Sequence, residues 1–164
     1  ATTVFASGIV FVKAYDKIAD ETREEINVGT EGDIKDQKAK YRMYDKTRIK
    51  KCMIKNERLK ENDGKPFTWK IKPKERIETK EGHLKKGTCV QVAACMGFEE
   101  EHPETHIAIG IIDEDGEETY IENGVNLVSH LKVKKDGWYR VFLENLGAKK
   151  AIAGGHYMVI TEEE

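Results

Sequence analysis

Residues 107–121, IAIGIIDEDGEETYI, form the stretch of the chain that decides its fold class. Isoleucines recur at every second position from Ile107 to Ile111, which is the period of a strand with one buried face. Asp115-Gly116 then supplies a tight turn, and the apolar residues after it return as the partner strand. The stretch therefore predicts an antiparallel β-hairpin.

The same period-two pattern continues on both sides of this hairpin. Residues 127–133 and 139–143 alternate apolar and polar side chains around a turn at Lys135-Asp136-Gly137, which predicts a second hairpin. Residues 67–71 predict a further strand that Pro73 ends. Residues 40–50 alternate as well, and a β-bulge at Lys50-Lys51 would shift the inward positions to Cys52 and Ile54.

Eight or nine short strands, spaced by about ten residues, predict an all-β chain: a single-domain antiparallel β-sandwich or jelly roll over residues 1–164. Residues 13–26 alone show helical spacing and predict one short N-terminal helix. The inward side chains of the strands form the predicted core, namely Tyr41, Met43, Ile49, Trp69, Ile71, Val90, Val92, Ile107, Ile109, Ile111, Leu131, Val133, Tyr139, Val141, Leu143, Tyr157 and Val159.

Composition excludes several classes of protein. The chain has 164 residues, of which 38% are hydrophobic and 35% charged, so a folded domain with a normal core is expected. No apolar run reaches the ~18 residues of a membrane-spanning helix. The net charge of −2 gives no overall attraction to nucleic acid, and no specific nucleic-acid partner is expected.

Charge is strongly segregated along the chain. Residues 35–86 carry 19 basic and 8 acidic side chains, whereas residues 87–164 carry 6 and 15. If residues 40–50 form one strand, their basic side chains project from one face as a cationic ladder, which an adjacent strand extends. The predicted ladder binds an anionic polymer or cell-surface glycan and consists of Lys40, Arg42, Lys46, Arg48, Lys50, Lys70 and Lys72. The alternative is that the acidic third folds over these residues and neutralises them.

Catalytic motifs are absent from the sequence. The two serines lie outside any Gly-x-Ser-x-Gly elbow, and no phosphate-binding glycine loop is present. Cys52, Cys89 and Cys95 are odd in number, and three free thiols, buried or half-buried, are expected. A disulfide, if one forms, would have to involve Cys52. The sequence thus favours a non-catalytic binding module without a cofactor over an enzyme.

One segment offers an alternative function. Residues 99–106 contain four carboxylates and two imidazoles, and His102 with His106 could hold a divalent metal in a hydrolase or a metal-binding protein. Pro103 between them removes the regular i, i+4 face of a zinc-binding helix. A solvated loop is the competing interpretation.

Four segments, KKGTCVQVAA, HIAIGIIDEDGEE, LKVKKDGWYRVFLEN and GGHYMVI, carry a family resemblance. The Gly87 entry turn, Asp115-Gly116 and the Gly137-x-Tyr139-x-Val141-x-Leu143 pattern resemble the small β-sandwich modules of secreted bacterial proteins, of the pre-peptidase C-terminal kind. The resemblance covers about half the chain and implies a non-catalytic appendage, although no calcium-ligating pattern is present.

Location is inferred from the absence of a catalytic or nucleotide-binding signature, the strand-rich pattern and the basic residues of the middle third, and not from the start of the chain. Ala1 fits a removed signal peptide, methionine excision or a trimmed chain equally well. An extracellular or cell-surface location in a bacterium is expected, with a cytoplasmic one left open.

Overall fold

The computed structural model describes residues 36–60, 64–96, 105–123 and 126–160, and most of them lie in eleven β-strands. The strands are β1 (Lys40–Met43), β2 (Lys51–Arg58), β3 (Phe67–Ile71), β4 (Glu75–Lys80), β5 (Gly82–Leu84), β6 (Cys89–Met96), β7 (Ile107–Asp113), β8 (Glu117–Asn123), β9 (Asn126–Lys132), β10 (Gly137–Asn145) and β11 (Ala151–Ile160). A 3₁₀ turn, Lys46–Arg48, follows β1. The predicted helix over residues 13–26 lies outside the described residues.

The strands form two sheets. The large sheet has the order β1-β8-β7-β10-β4-β2, with β5 also paired to β10, and the small sheet has the order β3-β11-β6-β9. Neighbouring strands are antiparallel except for the parallel pair β2 and β4. The predicted all-β sandwich is confirmed, and so is the hairpin of β7 and β8 around Asp113–Gly116.

An apolar cluster fills the space between the sheets. Ile107, Ile109 and Ile111 of β7 face it, as predicted. Phe67 stacks on Trp69 with ring centroids 4.0 Å apart. Val159 is partly buried and packs against this cluster, whereas Ile49 is partly buried at the end of the 3₁₀ turn and is not a member of it. The other confirmed members of the predicted core are buried, namely Trp69, Ile71, Val90, Val92, Ile107, Ile109, Ile111, Leu131, Val133, Tyr139, Val141, Leu143 and Tyr157.

The sequence predicted the wrong buried face for β1. Tyr41 and Met43 are 59% and 57% exposed, while Arg42 between them is partly buried. β1 is a short strand at the edge of the large sheet, so the face shared by Tyr41 and Met43 is incompletely covered. Apolar and polar side chains do alternate along β1, but the face that carries Arg42 is more buried than the face that carries Tyr41 and Met43.

The predicted continuous strand over residues 40–50 is also wrong, because the chain turns after Met43. The Asp45 carboxylate accepts hydrogen bonds from the backbone N–H and the hydroxyl of Thr47, which caps the 3₁₀ turn. When β2 begins, Cys52 and Ile54 are exposed and Met53 packs against the core. The inward positions of β2 are therefore opposite to the predicted ones.

The second predicted hairpin does not form, although both of its strands exist. β9 pairs with β6 in the small sheet, whereas β10 pairs with β7, β4 and β5 in the large sheet. The turn between β9 and β10 carries the chain from one sheet to the other. Alternation along a strand identifies a buried face but leaves its partner open, because pairing depends on residues far away in the sequence.

Candidate functional site

Three lysine-bearing segments meet at one end of the sandwich. The N–H of Lys50 donates to the carbonyl of Lys74 at 2.7 Å, and the N–H of Lys74 donates to the carbonyl of Asn145 at 3.1 Å. The segment after β10 joins them through the side chain of Asn145. We call this surface the basic end; its seven lysines are all exposed: Lys50, Lys51, Lys70, Lys72, Lys74, Lys149 and Lys150.

The buried side chain of Asn145, 1% exposed, organises the basic end. Its Nδ2 donates to the carbonyls of Ile71 and Lys149, both at 2.9 Å, and its Oδ1 accepts from the N–H of Gly147 at 2.8 Å. One amide group thus fixes the end of β3 and the loop before β11 relative to each other. The sequence analysis missed this residue, because an asparagine followed closely by glycine indicates only a turn.

The turn between β3 and β4 holds a lysine in an unfavourable backbone conformation. The N–H of Glu75 donates to the carbonyl of Lys72 at 3.0 Å, Pro73 stands second in the turn, and Lys74 stands third with φ of 65°. This is the pattern of a type II turn, whose third position favours glycine. A non-glycine residue there costs about 1–2 kcal/mol.

The predicted cationic ladder is divided between two environments. Lys50, Lys70 and Lys72 lie at the basic end, and Lys46 is exposed in the 3₁₀ turn before it. Lys40 is exposed on β1, 3.6 Å from a carboxylate oxygen of Glu122. The two predicted arginines are not exposed ladder members.

Instead, these arginines join a buried ionic cluster on the face of the large sheet turned away from the small sheet. We define the ionic cluster as Arg42, Arg48, Arg76, Glu78, Glu118 and Glu144. Arg76 is fully buried at its centre, with Nε 2.7 Å from Glu78 and Nη1 2.9 Å from Glu144. Its Nη2 lies 2.7 Å from Oε2 of Glu118, in an orientation that makes an ion pair without a hydrogen bond.

Arg42 and Arg48 cover the outer side of this cluster. The Nε of Arg42 donates to Glu118 at 2.5 Å, and the Nε of Arg48 donates to Glu144 at 2.9 Å. Burial alone would raise the pKa of Glu144, but the Arg48 hydrogen bond and the three guanidinium charges outweigh it and lower the pKa. Because three cations face three carboxylates, the ionic cluster is neutralised internally and is not a surface for an anion.

Aromatic rings complete the shielding of the guanidinium groups. The Cζ of Arg76 lies 3.8 Å from the centroid of Phe142, and that of Arg42 lies 4.2 Å from the centroid of Tyr120. Both rings belong to a small apolar cluster with Ala108 and Ile112. Aromatic faces attract cations and exclude water, so they strengthen the ion pairs beneath them.

The predicted metal segment is only partly described. His106 Nε2 lies 2.9 Å from a carboxylate oxygen of Glu122, and His102 lies outside the described residues. His130 and His156 lie on β9 and β11, which are separated by β6, and His130 contacts Asp36. A metal site at His102 and His106 stays a prediction.

The acidic turn between β7 and β8 already contains a cation. Carboxylate oxygens of Asp113, Asp115 and Glu117 lie within 4.8 Å of one another. The ammonium group of Lys135 lies 2.6 Å from Asp115, 3.4 Å from Asp113 and 3.5 Å from Glu117. Its hydrogen bond to Asp115 and the nearby carboxylates raise the pKa of Lys135. The lysine satisfies these carboxylates without a metal ion.

All three cysteines are free, as predicted, but Cys52 is exposed and not buried or half-buried. Burial raises the pKa of Cys95 to about 12. Cys52 is exposed as a residue, but loss of hydration around its thiol and the Glu78 carboxylate raise its pKa to about 11. A thiol with such a pKa carries almost no thiolate at neutral pH, so neither is an activated nucleophile.

Comparisons with known proteins assign no family. No family model and no curated protein matches the chain. The fold has a low similarity to the crystal structure of Aeromonas hydrophila PliG, a periplasmic lysozyme inhibitor of g-type lysozyme, with 9% identity and a TM-score of 0.37 over 66% of this chain and 98% of that one. This similarity is too low to support an inference about function. Among the described residues, no helix has the length and apolarity needed to cross a membrane.

Proposed function

We propose that this protein is a non-catalytic, secreted or cell-surface β-sandwich module that binds an anionic polymer or glycan through its basic end. The observation that carries the proposal is the convergence of seven exposed lysines from three separate segments. Among the described residues, no ion pair joins any of these lysines to a carboxylate.

The contrast with the rest of the molecule supports this assignment. The arginines on the face of the large sheet have carboxylate partners, whereas the lysines of the basic end repel one another in water. The cost of that repulsion falls when a polymer of negative charges replaces small counterions at the surface. The resemblance to pre-peptidase C-terminal-like modules supports a secreted or cell-surface location.

The basic end is also held in shape by the fold. Asn145 fixes the loops, and the turn at Lys72–Glu75 places Lys74 in a strained conformation. Lysines that are positioned before binding lose less conformational entropy when the polymer arrives. Lysine, unlike arginine, binds anionic groups as a point charge, which suits a flexible polymer of sulfate, phosphate or carboxylate groups.

Heparin binding at increasing salt concentration tests this proposal with two variants of equal charge. In the first, Lys50, Lys72 and Lys149 are all replaced by Gln; in the second, Lys60, Lys85 and Lys86 are replaced by Gln. The second set is exposed at the opposite end of the sandwich, where β5 meets the start of β10. Each variant removes three positive charges, so a difference between them reports position and not net charge.

We expect the first variant to lose at least about tenfold in heparin affinity and to show a shallower dependence of affinity on salt, because fewer counterions are released. The control variant should bind like the parent protein. Equal losses in the two variants would contradict the proposal, and so would a parent protein that does not bind heparin at low salt.

A further inference from the structure

A second candidate site lies on the large sheet, near the start of β10 and away from the basic end. It is an open depression of ≈ 380 Å³, bordered by the aromatic rings of Tyr44 and Trp138 and by charged side chains of β4 and β10 and of neighbouring turns. Trp138 and Asn145 are seven residues apart on β10, which corresponds to about 23 Å. The depression and the basic end are therefore separate surfaces.

Trp138 presents a large apolar surface to solvent. The residue is 48% exposed, and the ring contacts His83 edge to face, with centroids 5.2 Å apart and planes at 79°. An indole of this size is normally more deeply buried, and exposed tryptophan is enriched where proteins bind partners. The contact with His83 fixes the ring while leaving much of it open, so the ring can serve as a stacking platform.

The charges around the depression favour a cationic occupant. Carboxylates of Glu78, Glu81, Asp113 and Glu114 line it, together with the guanidinium of Arg140. Glu78 is paired with Arg76, and Asp113 lies 3.4 Å from the ammonium group of Lys135. The guanidinium of Arg140 is already engaged, since it donates to the carbonyl of Thr79 at 3.0 Å and lies 3.6 Å from Glu81. Glu114 therefore faces the depression without a guanidinium partner among the described residues.

Glu114 is held close to Trp138 by a hydrogen bond to the backbone of that residue. Its Oε2 accepts a hydrogen bond from the backbone N–H of Trp138 at 3.3 Å. A Cβ at position 137 would lie 2.9 Å from the same oxygen, so Gly137 is what allows this approach. A cation above the indole could thus contact a π face and a carboxylate together, and each contact is stronger in a partly desolvated site.

We propose that this depression binds an arginine or lysine side chain presented by a peptide or protein partner. The cation would stack on Trp138 and pair with Glu114, because Glu78 and Glu81 are already paired with Arg76 and Arg140. A neutral saccharide could stack on the same ring and donate hydroxyl hydrogen bonds to a carboxylate, but only a cation also gains from the attraction between opposite net charges. The proposal is independent of the polymer-binding function of the basic end.

Tryptophan fluorescence provides the measurement. The chain has two tryptophans, and Trp69 is 5% exposed, so a change on adding a ligand to the intact protein reports Trp138. The probes are a short arginine-rich peptide, the same peptide with citrulline in place of arginine, and cellobiose. Citrulline keeps the shape of arginine and removes its charge, which separates stacking from charge recognition.

We expect saturable binding of the arginine peptide, about tenfold weaker binding of the citrulline peptide, and no response to cellobiose. Glu114→Gln should weaken the arginine peptide about five- to tenfold, and Gly137→Ala should weaken it similarly by displacing the carboxylate while keeping every charge. Glu117→Gln is the matched control, because Glu117 is exposed beside Lys135 and does not line the depression. Heparin binding should be unchanged in all three variants.

Three results would overturn the proposal. Equal binding of the arginine and citrulline peptides would show that charge is not recognised. A saturable response to cellobiose that is unaffected by Glu114→Gln would identify a saccharide site instead. An absent response to every probe would show that the depression binds none of them.

Discussion

Arg76 shows how a single buried charge is accommodated in this fold. Its guanidinium has no solvent exposure and contacts three carboxylates as well as the face of Phe142. Such an arrangement adds little stability when compared with an apolar core of the same volume, because desolvation of the charges offsets their attraction. Removing one member is much more costly, since the remaining charges stay buried without compensation.

Replacement of Arg76 by Met should therefore lower the free energy of unfolding by about 3–5 kcal/mol. The loss arises because Glu118 and Glu144 are each about 1% exposed and keep only Arg42 and Arg48 as partners. Urea denaturation followed by tryptophan fluorescence measures it. Arg58→Met, an exposed arginine on β2, is the control and should change stability by less than about 0.5 kcal/mol. Equal effects of the two substitutions would show that the cluster is not a stabilising unit.

At the scale of elements, the turn between β3 and β4 connects the two sheets and carries part of the basic end. β3 belongs to the small sheet and β4 to the large sheet, so the four residues from Lys72 to Glu75 link the layers. Lys74 occupies the position at which glycine is favoured. Glycine at this position would therefore increase stability, whereas lysine supplies one of the positive charges of the basic end.

Replacement of Lys74 by Gly should raise the free energy of unfolding by about 0.5–1 kcal/mol, because it relieves the left-handed conformation. The same substitution should weaken heparin binding, because one lysine of the basic end is lost. Thermal unfolding and heparin elution measure the two effects. Lys72→Gly removes the same charge from the turn and should not increase stability. If Lys74→Gly destabilises the protein, the turn is not strained as described.

The sequence predicts where the strands lie far better than it predicts which strands pair with each other. The isoleucines of β7 and the turn at Asp115-Gly116 are local signals, and the hairpin they predict is confirmed. The partner of β9 is β6, more than thirty residues earlier along the chain, and no local signal specifies it. The turn before Gly137 is equally compatible with a hairpin and with a crossing between sheets.

The candidate site was predictable in its charge but not in its geometry. Lys50, Lys70 and Lys72 of the predicted ladder do lie at the basic end. Arg42 and Arg48 are instead partly buried against Glu118 and Glu144, which are more than seventy residues away in the sequence. One signal was available: Glu144 directly follows Val141–Leu143, an apolar run typical of a strand buried on both faces, where a carboxylate requires a partner.

At the scale of the whole molecule, stability depends on the protonation of groups that folding shields from water. His156 on β11 is half-buried, and burial lowers its pKa from 6.5 to about 4, because the imidazolium form loses hydration. Between these two pH values the unfolded chain binds a proton that the folded protein does not. Unfolding is therefore favoured as the pH falls through this range.

We expect the free energy of unfolding to decrease by about 2 kcal/mol between pH 7 and pH 5, with His156 as the main contributor. A further decrease should follow below about pH 4.5, where the lowered pKa of Glu144 means that acid protonates the unfolded chain first. Urea denaturation at a series of pH values measures both. His156→Gln should remove the change between pH 7 and pH 5 and leave the steeper loss at lower pH. An unchanged slope in this variant would assign the effect to another group.

The placement of β10 and β11 has a consequence for how the protein forms during synthesis. Each is the hydrogen-bonded partner of strands on both of its sides, and every strand it joins precedes it in the chain. Until residues 137–160 have left the ribosome, the two sheets lack their central strands, and only smaller groups of strands, such as β7 with β8, have their partners available. Their open edges can pair with other chains. Folding of both sheets is thus a late event, and a chaperone that covers these edges during translation would protect the nascent chain from aggregation.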